Sequence, residues 1–167
     1  MAMSQDELEA LATRVGEALQ ARAWRLAAAE SCTGGWAAQA ITAIAGSSLW
    51  FDRGFVTYSN AAKCDVLGVT AEILTEFGAV SEACARGMAD GARGRSLAQV
   101  AFAITGIAGP AGGSPDKPVG TVCFAWSIAG RDTETARMRF DGDRRAVRAQ
   151  SVAYVFRGIL ERLAAMQ

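Results

Sequence analysis

The residues with the densest chemistry are consecutive: Glu30, Ser31, Cys32 and Thr33, followed at once by Gly34 and Gly35, within AAAESCTGGWAAQA (27–40). A purely structural turn needs only the glycines and one capping side chain, for which Ser31 or Thr33 would serve. The surplus of reactive groups opens a second reading beside that one, nucleophilic chemistry. Ser31 would stand at the mouth of a helix, where free N–H groups at Gly34 and Gly35 and the helix dipole would stabilise a developing oxyanion. Cys32 is the rival nucleophile. A catalytic thiol normally depends on histidine or another strong positive site to become thiolate. The chain has no histidine, so Ser31 ranks ahead.

The same lack of histidine removes the usual general base of serine hydrolases. Lys63, in VTYSNAAK (56–63), is the substitute, because a desolvated lysine loses proton affinity and can deprotonate a serine, with Tyr58 relaying or orienting. Lys63 also reads as an ordinary solvated lysine, Tyr58 as a strand end and Asn60 as a helix cap. Two further segments suit an anion. TGIAGPAGGSPDKPVG (105–120) follows an apolar strand, at the carboxyl end where α/β sheets hold ligands, and its glycine N–H groups could cradle a charge. It has neither the Walker nor the dinucleotide pattern. DGDRRAVR (141–148) sets Arg144, Arg145 and Arg148 at the start of the last helix, where cations oppose the macrodipole and need an anionic partner, either Asp141 and Asp143 or a bound phosphate.

These residues need a scaffold, and the periodicity supplies one. Ser4-Gln5-Asp6-Glu7 is a capping box opening a helix over 5–22. A buried strand over 24–29 leads into the reactive turn, a helix over 36–44 leaves it, and a strand over 54–58 precedes a short helix carrying Lys63. Two more helices open at Thr70 and Ser81. QVAFAIT (99–105) has the near-continuous apolar character of a central strand. Residues 119–128 form another strand, 133–140 alternate as a half-exposed edge strand, and Asp143 caps a long final helix. Early alternation of strand and helix followed by a late hairpin predicts an α/β fold with a mixed sheet and helices on both faces.

Composition narrows the function classes. The 167 residues fit one domain, 1–167. No apolar run is long enough to span a bilayer and no basic-then-apolar leader opens the chain, so a soluble, cytoplasmic protein with no membrane role is expected. Lys plus Arg equal Asp plus Glu at 17 each, which disfavours nucleic acid as a partner. Cys32, Cys64, Cys84 and Cys123 are widely spaced and read as reduced thiols. Without histidine or clustered thiols, neither metal nor cofactor is expected.

Taken in order, AESCTGG (29–35), GFVTYSNAAK (54–63), GAVSE (78–82), TGIAGPAGGSPDKPVGTV (105–122) and GDRRAVR (142–148) resemble the CinA C-terminal domain family across most of the chain. The resemblance implies a three-layer α/β/α sandwich and, for members with this domain alone, hydrolysis of nicotinamide mononucleotide to nicotinic acid mononucleotide and ammonia. Larger members carry an extra N-terminal domain associated with ADP-ribose pyrophosphatase activity, which is not expected here. By resemblance Ser31 matches the nucleophile, with Tyr58 and Lys63 beside it. Gly34, Gly35, Ser48, Thr105, Gly106, Arg144 and Arg145 fall on the substrate side, the substrate is a small mononucleotide, and a homodimer is implied. The rival reading is a nucleotide-binding or protein-interaction module linked to competence or DNA damage, which would need no activated lysine.

Overall fold

The computed structural model describes residues 3–166 of the chain. Ser4 caps α1 (Gln5–Gln20), and its reciprocal bonds with Glu7 complete the capping box. Strand β1 (Leu26–Glu30) runs into the reactive turn, and α2 (Trp36–Thr42) leaves it. A single 3-10 turn, Ser47–Leu49, precedes β2 (Phe51–Val56), which is followed by α3 (Asn60–Leu67), α4 (Ala71–Phe77) and α5 (Glu82–Gly94). Strands β3 (Val100–Gly106), β4 (Thr121–Ile128) and β5 (Glu134–Arg139) lead to α6 (Arg144–Ala164).

The sheet order is β2-β1-β3-β4-β5, with β1 parallel to β2 and β3, and β4 antiparallel to β3 and β5. The mixed α/β sheet expected from the sequence is therefore the sheet observed. Its two faces differ in size because residues alternate along each strand. Val100, Phe102, Ile104, Val122, Phe124 and Trp126 face α1 and α6, whereas Ala101, Ala103, Cys123 and Ala125 face α5. The small face lets α5 approach closely, and α5 answers with Ala85, Ala89, Gly91 and Ala92. At Gly91 an added Cβ would lie 2.0 Å from the Leu67 carbonyl oxygen, so only glycine permits α3 and α5 to cross there.

Several boundaries differ from the sequence reading: α1 and α2 each end two residues early, and β4 starts two residues late, at Thr121. Strand β1 starts two residues late, and β2 starts three residues early, at Phe51. The Asp52–Arg53 pair reads as loop in sequence, but on the edge strand β2 Arg53 stays half-exposed, while the largely covered Asp52 carboxylate accepts from Arg53 at 2.7 Å and from the Leu97 N–H at 3.1 Å. Ser59, not Asn60, caps α3: its hydroxyl accepts the Ala62 N–H at 3.0 Å. Among the described residues no helix is long and apolar enough to cross a membrane.

Candidate active site

Strands β1, β2 and β3 are parallel, and their carboxyl ends, at Glu30, Val56 and Gly106, open on one side of the sheet. The connection after β1 runs through α2, in the layer of α1 and α6. The connection after β2 runs through α3, α4 and α5 in the opposite layer. The crevice beyond β1 is thus a topological switch point, where open α/β sheets bind ligands. It contains a pocket of about 230 Å³ lined by Ser31, Tyr58, Lys63, Thr105, Gly106 and Arg144, together with Cys32, Asn60 and residues 79, 80 and 108.

Ser31 is seated by its own backbone: its N–H donates to the Ile104 carbonyl at 2.9 Å, and its carbonyl accepts the Gly34 N–H at 3.0 Å. Gly34 and Gly35 both take positive φ, 58° and 103°, which lets the chain double back into α2 without a side-chain clash. The helix start is not capped by Ser31 or Thr33. The Glu30 carboxylate reaches past the turn and accepts the Ala37 and Ala38 N–H groups, at 2.9 and 3.0 Å, and the Thr33 hydroxyl at 2.6 Å. Glu30 is 1% exposed, and these three donors compensate its burial. One of the crowded reactive groups is therefore the cap, drawn from the strand end.

Lys63 is 1% exposed, and its Nζ lies 2.8 Å from Ser31 Oγ. The same nitrogen donates to the carbonyls of Thr57, at 2.7 Å, and Tyr58, at 3.2 Å. Burial lowers the lysine's pKa below its ordinary value. As an ammonium the nitrogen donates to all three oxygens; as a neutral amine it would give its two N–H groups to the carbonyls and turn its lone pair to the Ser31 hydroxyl. Cys32 lies in the opposite condition: burial pushes its thiol up to about 12, against the opposing influence of Arg148, so at neutral pH it stays protonated. Cys84, also buried, is pushed up to about 11.

The remaining residues expected at the site divide. Thr105 and Gly106 line the pocket, and the Thr105 hydroxyl donates to the Ala79 carbonyl at 2.8 Å, tying the loop before α5 to the end of β3. The Tyr58 phenol is 63% exposed and accepts from Arg144 at 3.2 Å, so it is the Tyr58 carbonyl, not the phenol, that bonds Lys63. Arg144 also donates to the Gly109 carbonyl at 2.9 Å. It forms a wall shared with a second pocket, of about 500 Å³, bounded by Gly109, Pro110, Val119, Asp143 and Arg145. The Gly34 N–H, expected to face an oxyanion, is already bonded within the turn. Ser48 is not brought to the site. It sits in the turn before β2, at the amino end of that strand, exposed and with its carbonyl taken by Arg25.

Two contributors escaped the sequence reading. The Thr57 carbonyl has no side-chain signature at all, and Asn60, read as a cap, lines the pocket from the first turn of α3. Among the described residues no three His, Cys, Asp or Glu side chains are grouped to hold a metal ion.

The CinA C-terminal domain matches residues 8–163. The chain is 55% identical over 152 residues to the nicotinamide-nucleotide amidohydrolase PncC of Escherichia coli K12, covering 91% of this chain and 92% of that protein. It is 49% identical to the protein of the same name from Pseudomonas putida, over 93% of this chain and 97% of that one. The solved CinA superfamily protein KP700603 of Klebsiella pneumoniae superposes with a TM-score of 0.91 at 49% identity, covering 95% of this chain and 98% of that chain. The protein belongs to the CinA C-terminal domain family.

Proposed function

We propose that the protein is an amidohydrolase that converts the carboxamide of a nicotinamide nucleotide, nicotinamide mononucleotide first among them, to the carboxylate and ammonia. The observation that carries this reading is the buried Lys63 Nζ 2.8 Å from Ser31 Oγ. The amidohydrolase names of relatives that match nearly end to end support the substrate class.

In the reaction, the Ser31 hydroxyl gives its proton to neutral Lys63 as Oγ bonds to the carboxamide carbon, and the carbonyl electron pair moves onto oxygen. Collapse of that oxyanion breaks the C–N bond. Lys63 returns the proton to the departing nitrogen, and ammonia leaves with an acyl-Ser31 behind it. A water then gives a proton to Lys63 and attacks the acyl carbon, Ser31 recovers that proton as the carboxylic acid departs, and the acid loses its remaining proton to solvent or ammonia to become the carboxylate. No step uses the Cys32 thiol or the Tyr58 phenol.

The pocket at Ser31 is smaller than the roughly 300–1,000 Å³ usual for small-molecule sites. The adjoining pocket behind Arg144 extends it, and Arg144 and Arg145 there suit a single phosphate. A mononucleotide would place its carboxamide in the first pocket and its phosphate in the second.

The test is ammonia release by the pure protein from nicotinamide mononucleotide and from free nicotinamide. The nucleotide should be hydrolysed far faster, Ser31→Ala should abolish release while still binding the nucleotide, and Cys32→Ala should retain activity. Binding without ammonia release in the unaltered protein would reduce the pocket to a binding site.

A further inference from the structure

Arg148 lies half-buried on α6, and among the described residues it pairs with no carboxylate. Its guanidinium is spent on two main-chain oxygens of the turn after the nucleophile: Nε donates to the Cys32 carbonyl and Nη2 to the Thr33 carbonyl, both at 3.0 Å. Its charged end lies over the Trp36 ring, 5.4 Å from the centroid, at the start of α2. A cation held on two consecutive carbonyls of a five-residue turn fixes the direction of those peptide planes.

That direction has a chemical consequence. Across a trans peptide the N–H points opposite to the C=O. The Ser31 carbonyl is turned toward the Gly34 N–H, so the Cys32 N–H points the other way. The Cys32 carbonyl is turned toward Arg148, so the Thr33 N–H also points away from α6. Arg148 reaches the turn from the α1/α6 layer and Lys63 from the α3/α5 layer, so the Thr33 N–H, set opposite the Arg148 contact, is turned from the first toward the second.

We infer that Arg148 is a positioning residue for amide hydrolysis: its bond to the Cys32 carbonyl aims the Thr33 N–H, and its bond to the Thr33 carbonyl holds the Gly34 N–H on the Ser31 carbonyl and so aims the Cys32 N–H, both toward the oxygen that becomes negative when Ser31 attacks. This rests on the amidohydrolase reading above and replaces Gly34 as a donor. It also separates Arg148 from Arg144 and Arg145, which border the second pocket, whereas Arg148 does not.

Two variants test it. Arg148→Met keeps an apolar stem beside Trp36 but removes every donor, and Arg148→Lys restores a single cationic donor. Loss of one oxyanion donor costs about 10²–10³ in kcat. Arg148→Met should therefore lose about that factor in kcat on nicotinamide mononucleotide, with KM changed less than about threefold and the pH midpoint governed by Lys63 unmoved. Arg148→Lys should recover part of the loss. Unchanged kcat, or a loss residing in KM, would overturn the inference. Amide hydrogen exchange provides a readout without turnover. Arg148→Met should speed exchange at residues 32–36 and leave β3 and α5 protected, and unchanged exchange at the turn, or equal acceleration throughout the fold, would refute the clamp. If the unaltered protein released no ammonia, the functional reading would fail by itself, and the exchange result would still judge the clamp.

Discussion

At the scale of single residues, the site depends on a lysine held where its charge is costly. Burial disfavours the ammonium form of Lys63, so its folded pKa is below the unfolded value of about 10.4. Between those two values the unfolded chain binds a proton that the native protein does not, and stability must rise with pH there. Below the lowered pKa both states are protonated and the native protein bears the full penalty. In the proposed mechanism deprotonation supplies the base, so kcat/KM should rise with pH through the lowered pKa and then level off. Lys63→Arg keeps the charge but cannot shed it in this range, so it should lose activity almost as completely as Lys63→Met, with circular dichroism unchanged. Near-normal turnover by Lys63→Arg would make the residue a fixed cation and transfer the base role elsewhere. Ser31 and Cys32 as rival nucleophiles, and Lys63 as a candidate base, were legible from residue type alone, because a histidine-free chain leaves few bases. What decides among them is burial, which the sequence does not display. The thiol is pushed up to about 12 while the lysine moves down.

At the scale of elements, the turn is held from the sheet and from one helix layer. Glu30 fixes the start of α2 from the strand end, and Arg148 reaches in from α6. The sequence marks the turn by its glycines but not its supports, since a carboxylate capping a helix seven residues on, and an arginine 115 residues away from Thr33, leave no local pattern. The same is true of Ser48, which the resemblance put on the substrate side while its place before β2 sets it at the other end of the strand. Strand and helix order, by contrast, was readable, because alternation and capping are local. The close crossing of α3 and α5 gives a prediction whose sign two effects dispute. Gly→Ala inside a helix gains up to about 1 kcal/mol in propensity, but at Gly91 the new methyl would meet the Leu67 carbonyl at 2.0 Å, and overpacking costs about 1–3 kcal/mol or more. Gly91→Ala should lower the melting temperature. Gly94→Ala, on the same helix with nothing within 4 Å of the new methyl, should leave it unchanged or raise it. Equal shifts from the two variants would show that α5 does not approach α3 as closely as described.

At the scale of the whole molecule, the sheet divides labour between its faces. The small-residue face carries α3 and so delivers Lys63. The large-residue face carries α6 and delivers Arg144, Arg145 and Arg148, and the two meet at the carboxyl end of β1. The five sequence blocks that resemble the family are the five places where the chain passes that end, which is why they were visible as motifs and why the intervening scaffold was visible only as periodicity. The carbonyls that hold Lys63 belong to the same convergence and became visible only in the fold. A reaction with nicotinamide mononucleotide, quenched in acid during turnover and digested for peptide mass analysis, tests the central claim most directly, since the acyl group should be found on the peptide containing Ser31. Fragmentation should assign it to Ser31, and the adduct should be lost in Ser31→Ala but retained in Cys32→Ala. An adduct on Cys32, or full turnover by Ser31→Ala, would contradict the account.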